Sequence, residues 1–301
     1  MILVRTRKIP NSVAVLRAIG WIYLRRIVAT APSPGTMCRA YFGRNGYGRP
    51  MANDVVRKLA NEPFTNFWSE ISGTEEQFLS GKRDRGADLE SAVRIFLEFL
   101  RGFEFFADVD RPCVTVFGSA RFAPGHRYYE MARELGATLA AAGYAVMTGG
   151  GPGIMEAANR GAKEAGGLSL GCNILLPKEQ AANPYLDRFI EMNHFFVRKV
   201  MLVKYSRAFV VMPGGLGTLD EAFETLTLIQ CKKLERFPIV AMGVDFWGLM
   251  RNFVRESLVP HKTISVEDLE LLRVTDLPRE AVSYIRDGLG RSAAATAGSV
   301  D

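Results

Sequence analysis

The chain has 301 residues, 48% of them hydrophobic, which is enough for one large α/β domain with extensions. Its formal net charge of +6 invites a nucleic-acid reading, but nine of the 38 Lys and Arg residues fall in residues 1–50, which hold no Asp or Glu. Beyond residue 50 the other 29 face all 32 acidic side chains, so the bulk charge belongs to one terminus and no nucleic-acid partner is expected.

In residues 1–50 the apolar run from Val13 to Val28 is broken by Arg17, Arg25 and Arg26, which argues against a membrane span. An Arg-rich, acid-free segment also suits a targeting peptide, if the source is eukaryotic. The composition favours a third reading: a basic extension of marginal structure, disordered or a mis-called start, with Met51 the true beginning. Residues 51–107 read as a helical lead-in, polar and punctuated by Pro63, Gly73 and Gly81 as far as residue 85. From Asp88 to Phe106, Val93, Phe96, Leu97, Leu100 and Phe103 recur at helical spacing. They predict an amphipathic helix packed on the main domain or on a partner subunit.

Residues 108–289 alternate regularly. Strands are expected at 113–119, 144–148, 168–176, 189–192, 208–212 and 238–243, with helices at 128–142, 154–165, 195–205, 219–231 and 246–259. Short β-branched runs alternating with helices predict an α/β, Rossmann-like, doubly wound parallel sheet with helices on both faces, preceded by the N-terminal helical extension. The tail 290–301 is small and polar and is expected to be disordered. Cys38, Cys113, Cys172 and Cys231 are widely spaced, without a C-x-x-C pair, so neither a zinc site nor a disulfide framework follows. No metal is expected, and a reducing, cytoplasmic setting fits.

Two glycine-rich turns carry the chemistry. TGGGPGIM (148–155) follows a strand and opens a helix, so Gly149, Gly150, Gly151 and Gly153 let backbone approach a ligand beside free helix-start N–H groups. It lacks the Gly-Lys-Ser/Thr of a Walker loop and the G-x-G-x-x-G of dinucleotide folds. PGGLGTLDE (213–221) repeats the arrangement with Gly214, Gly215, Gly217 and Thr218. Thr218-x-x-Glu221 is also a capping box, which alone would account for both residues. Two such turns at one edge of one sheet instead suggest an anionic ligand held between two helix N-termini. In NHFFVRKVMLVKY (193–205), Arg198 and Lys199 sit on a helix expected to be largely buried, so their charges should face a cleft or a carboxylate. His194 shares a face with Arg198, and a lone His is more often structural, so it is given no role.

The combination resembles the Lonely Guy (LOG) family, often mislabelled lysine decarboxylases. Its PGG-x-GT-x-x-E segment, upstream Arg-Lys pair and earlier GGG turn correspond here to 213–221, Arg198–Lys199 and Gly149–Gly151. The resemblance covers roughly residues 90–285 and points to the longer bacterial branch. It implies hydrolysis of a purine nucleoside 5′-monophosphate, AMP or an N6-isopentenyl relative, to free base and ribose 5-phosphate. It implies Arg198 and Glu221 as the catalytic pair, and Gly215, Gly217 and Thr218 as the phosphate site. Ser119 and the 149–153 turn would lie near the nucleotide, and Glu179, Lys199 and Thr227 would contact substrate. No cofactor signature is present, the pyridoxal-phosphate context of a decarboxylase included. The partners expected are a small nucleotide and a second copy of the chain, as a homodimer or higher homo-oligomer. The competing readings are a non-catalytic nucleotide or cofactor carrier of the same fold, and a broad-specificity nucleotide nucleosidase in salvage.

Overall fold

The computed structural model describes residues 75–81, 84–175, 181–234 and 237–297. The extension 1–50, the lead-in as far as residue 74, and Glu179 lie outside them. Among the described residues two helices precede the sheet: α1 (Glu75–Leu79) and α2 (Arg85–Phe106). Asp84 starts α2, its carboxylate accepting from the N–H groups of Gly86 and Ala87 at 2.8 and 3.1 Å. Then come β1 (Cys113–Phe117), α3 (Arg127–Ala141), β2 (Ala145–Thr148), α4 (Ile154–Glu164), β3 (Ser169–Ile174), β4 (Arg188–Met192) and α5 (Phe195–Lys204). The chain continues with β5 (Ala208–Val211), α6 (Leu216–Gln230), β6 (Ile239–Met242), α7 (Val244–Phe253), β7 (Leu272–Thr275) and α8 (Pro278–Ala297).

The seven strands form one sheet in the order β4-β3-β2-β1-β5-β6-β7, and every pairing is parallel. Val114, Val116, Val146, Val210 and Val240 point to one face, where they meet Leu135, Leu139, Ile154 and Ile285 of α3, α4 and α8. Phe117, Met147, Leu170, Phe209 and Ile239 point to the other, against Met201, Leu202, Ile229 and Trp247 of α5, α6 and α7 and Phe106 of α2. Coverage on both faces is why the inner strands read as continuous apolar runs. The fold is the Rossmann-like, doubly wound sheet expected.

Some elements differ from expectation. β7 was not anticipated, because LRVT is short, charged at Arg273 and only half-buried at the edge beside β6. The tail is a correction: α8 runs through residue 290 to Ala297, its Ala-rich end carrying on a helix already anchored by Ala281, Val282 and Ile285. On α2 the buried residues are Ser91, Leu97, Glu98, Gly102 and Phe106, whereas Phe96 is 59% exposed and Leu100 and Phe103 face outward. Apolar residues lie on several sides of this helix, so of the expected stripe only Leu97 is buried against the domain. α5 is also less buried than expected, with Val197, Met201 and Leu202 inside and Phe195 and Val200 well exposed.

α3 and α4 approach so closely that a Cβ at Gly136 would strike the backbone carbonyl of Ala158. Helix propensity alone predicts that Gly136→Ala gains about 1 kcal/mol. Backbone cannot yield as a side-chain tip can, so the expected outcome is a net loss of about 1–3 kcal/mol, read from the urea midpoint. A stabilised variant would contradict the packing argument.

Candidate active site

The strand order reverses between β1 and β5, so the loops leaving their C-terminal ends diverge and open a crevice. Ser119, just beyond β1, ties three loops together there. Its N–H donates to the Pro213 carbonyl at 3.0 Å, and its own carbonyl accepts from Ile154 N–H at 3.0 Å. Its Oγ accepts from Arg121 N–H at 3.1 Å. Gly153, with φ of +70°, is packed against Ser119; a Cβ there would lie 2.5 Å from the Ser119 carbonyl oxygen. Both glycine turns are thus pinned to the end of β1.

The two turns are not equivalent. Gly215 is the N-cap of α6, with no side-chain cap, and Gly215 to Gly217 are exposed with open space beside them. The Thr218 and Leu219 N–H groups donate to the Gly215 carbonyl at 3.0 and 3.1 Å. The uncapped donors of α6 are therefore those ahead of them, at Leu216 and Gly217, where an anion site requires them. Thr218 is the third residue of the helix, buried and packed on Gly214. This excludes the capping-box reading, because Thr218 is not at the cap and Glu221 does not fold back to it. The 149–153 turn, by contrast, is mostly buried. Gly150 N–H donates to Thr148 Oγ1 at 2.9 Å, and the Gly150 and Gly151 carbonyls accept from the backbone and side chain of Asn183 at 2.8 and 3.1 Å. Asn159 underlies this brace, bonded to Thr148, Ser169, Asn183 and the Leu170 carbonyl.

Gly149 has another task. A Cβ on it would lie 2.5 Å from a terminal nitrogen of Arg198, so the missing side chain is the space that the guanidinium occupies. Arg198 Nε donates to the Cys172 carbonyl of β3 at 2.8 Å, fixing the fork's orientation. Glu221 projects from the second turn of α6 and is 4% exposed, and its Oε2 has no hydrogen-bond partner. Burial pushes its carboxyl up to about 7 from an ordinary 4.5, against the pull of Arg198 and Lys199 and with the push of Glu224 and Asp220. Among the described residues no ion pair reaches Glu221 itself. Burial opposes the charge on Lys199, but Asp220 and Glu224, each 2.8 Å from its Nζ, overcome this and raise its pKa. The contact with Glu224 is ionic and not aligned as a hydrogen bond.

The structure thus brings together Ser119, the two glycine turns, Arg198, Lys199 and Glu221. It does not bring Thr227 to them: that residue is exposed, about 240° around α6 from Glu221, with its hydroxyl donating to the Phe223 carbonyl at 2.7 Å. Cys113 and Cys172 are buried, and burial holds both thiols up at about 12; Cys172 also feels Arg198, Glu221 and Glu98. Sequence reasoning missed Asn159 and Asn183, although a polar side chain among the small residues of AANRGA was a signal for the first. Among the described residues no cluster of His, Cys, Asp or Glu could hold a metal ion, and no helix is long and apolar enough to cross a membrane.

A buried carboxyl titrating near 7 destabilises the fold once ionised. The folded form holds its proton more tightly than the unfolded chain, so full stability is present below pH 4.5 and is lost as pH rises through 7. Glu221→Gln removes this loss, and its advantage over the parent should grow between pH 4.5 and 8 to something on the order of 3 kcal/mol. Denaturant midpoints of both proteins across that range are the check, and parallel curves would contradict the assignment.

The family described as "Possible lysine decarboxylase" matches residues 155–285. A cytokinin riboside 5′-monophosphate phosphoribohydrolase of Mycobacterium tuberculosis is 36% identical over 141 residues, covering 45% of this chain and 71% of that protein. The cytokinin riboside 5′-monophosphate phosphoribohydrolase LOG of Oryza sativa subsp. japonica is 29% identical over 131 residues, 42% of this chain and about half (53%) of its own length. Among solved structures, a molybdenum cofactor binding protein from Rippkaea orientalis aligns with a TM-score of 0.47 at 23% identity, covering 60% of this chain and 98% of that one. With the PGGLGTLDE turn, the Arg198–Lys199 pair and a relative of this identity matched over most of its length, the chain belongs to the LOG family.

Proposed function

We propose that the chain is a phosphoribohydrolase cleaving the N-glycosidic bond of a purine nucleoside 5′-monophosphate, AMP or its N6-isopentenyl relative, to free base and ribose 5-phosphate. The observation that carries the reading is Glu221: a buried carboxyl with an unpartnered oxygen, on the helix whose uncapped start forms the open glycine turn. Burying such a group costs stability, and among the described residues Arg198 and Lys199 offset that cost only in part, without pairing with it.

In the proposed reaction the C1′–N bond to the base breaks, positive charge develops on the ribose, and the bonding electrons leave with the base. Water adds to C1′; one of its protons passes to Glu221 and from there, directly or through solvent, to the leaving nitrogen. Base and ribose 5-phosphate are then the only products, and the carboxylate is restored. An ionised Glu221 also stabilises the ribosyl cation in a site where water does not screen it. The phosphate lies at Gly215, Gly217 and Thr218 against the α6 N–H groups, with Gly214 letting Thr218 pack close. Arg198, held by the Cys172 carbonyl and seated in the notch at Gly149, orients the ribose or its phosphate. Lys199 contributes charge from its place between Asp220 and Glu224. A reducing cytoplasm and a homodimer or larger homo-oligomer belong to the same proposal. The outward Phe96, Leu100 and Phe103 of α2 are what support self-association. Light scattering should then give twice the chain mass or a multiple of it.

Purified protein incubated with AMP should release adenine and ribose 5-phosphate, resolved by chromatography across a panel of purine and pyrimidine monophosphates. Glu221→Gln or Arg198→Ala should lower kcat by about 10²–10⁴-fold. If the carboxylate is the working form, kcat/KM rises with pH and levels near 7, and Glu221→Gln loses that limb. Nucleotide binding without turnover of any monophosphate would favour a carrier instead.

A further inference from the structure

α5 presents Arg198 and Lys199 to the crevice, and what holds its start in place comes from outside the sheet. Glu98 of α2 is 5% exposed and uses both carboxylate oxygens. Oε1 accepts from the N–H groups of Asn193 and His194 at 2.6 and 3.1 Å, and Oε2 lies 2.5 Å from His194 Nδ1. His194 is the N-cap of α5, 4% exposed, and makes no side-chain cap of its own. Its carbonyl accepts the N–H of Arg198 at 3.1 Å, one turn on. Glu75 of α1 takes the next donor, Phe195 N–H, at 3.0 Å.

Two further contacts run along the same pair of helices. A Cβ on Gly102 would lie 2.6 Å from Met201 Sδ, so the two backbones close up at that point. One turn later Phe106 stacks on Tyr205 at 4.5 Å and 16°. Positions 98, 102 and 106, one per turn of α2, therefore meet 194, 201 and 205 of α5 in the same order. The two helices lie parallel, and their register is fixed at three points. A carboxylate at a helix start is placed favourably against the macrodipole and fills orphan donors. Buried at this depth with three partners, it is expensive to remove.

We infer that Glu98, acting through His194, is a positioning residue for Arg198: it sets the height and rotation of the first turn of α5 and so aims the guanidinium past Gly149. The inference rests on the proposed hydrolysis only for its kinetic arm. Glu98→Gln keeps an oxygen for the two backbone donors and offers an N–H to His194 Nδ1, so it should behave nearly as the parent. Glu98→Ala leaves three donors or acceptors unfilled. Hydrogen exchange of the full chain should show amides 193–198 losing protection in Glu98→Ala and keeping it in Glu98→Gln, with the strands unchanged. Unaltered exchange at 193–198 in folded Glu98→Ala overturns the inference, whether or not the parent turns over any nucleotide. If Glu98→Ala does not fold, His194→Ala serves in its place: it removes the imidazole from Glu98 Oε2 and should lower protection over the same amides by less, with unaltered exchange again overturning the inference. Where the parent hydrolyses a monophosphate, kcat should fall at least about tenfold in Glu98→Ala, with KM within about threefold and most of kcat restored in Glu98→Gln. A folded Glu98→Ala with parental kcat also overturns it. A parent that turns over nothing sinks the hydrolase reading and leaves the exchange result to decide this one.

Discussion

β1 and β5 lie side by side, yet the chain winds outward from them toward opposite edges of the sheet, so no single connection closes over the gap between their ends. Whatever occupies that gap must be built from loop tips and helix starts, which is why Ser119, the 149–153 turn and the 213–217 turn converge there. The convergence is hydrogen-bonded, not merely close: one residue donates to one turn and accepts from the helix that follows the other. Both flanking helices begin at a glycine without a side-chain cap. The start of α4 gives its first N–H to Ser119, so the open donors at this place are those of α6. These favour a negatively charged group before any particular ligand is considered.

The division of labour between the two turns follows from what surrounds each. The first sits over a buried polar lattice of Thr148, Asn159 and Asn183, and its bare Gly149 makes room for a guanidinium. The second is bare toward solvent. Arg198 and Lys199 act on Glu221 through space without pairing with it, so the carboxyl is dehydrated and has no ion partner among the described residues. Its perturbed acidity comes mostly from exclusion of water, with the nearby cations opposing that shift. A direct ion pair would instead have held the carboxyl in its charged form.

Much of this was legible in the sequence. The alternation of β-branched runs and helices gave the sheet, and the glycine turns and Arg198–Lys199 fell where strand ends demand them. What could not be read was which neighbour each group would find. The TLDE segment suits a capping box and a helix interior equally, and only the start of α6 at Leu216 separates the two. Three successive glycines look alike on paper, although one is a notch for an arginine and another donates to a threonine. The apolar run IFLEFLRGFEFF has hydrophobic residues on several sides, so its buried stripe is chosen by Gly102 and Met201, a close approach that periodicity does not encode. That run holds two carboxylates, and only the structure shows that Glu104 is exposed while Glu98 is buried against polar partners.

The parallel register of α2 and α5 has a practical meaning for anyone dividing the chain. A cut at the start of the first strand looks natural in sequence, since everything after it alternates as one domain. Such a fragment would keep every strand and both glycine turns. It would lose the carboxylate that receives Asn193, His194 and the imidazole, together with the aromatic ring stacked on Tyr205. The trimmed piece would carry a raw edge on the helix that bears Arg198 and Lys199, so the conspicuous seam in the sequence is the wrong place for the scissors.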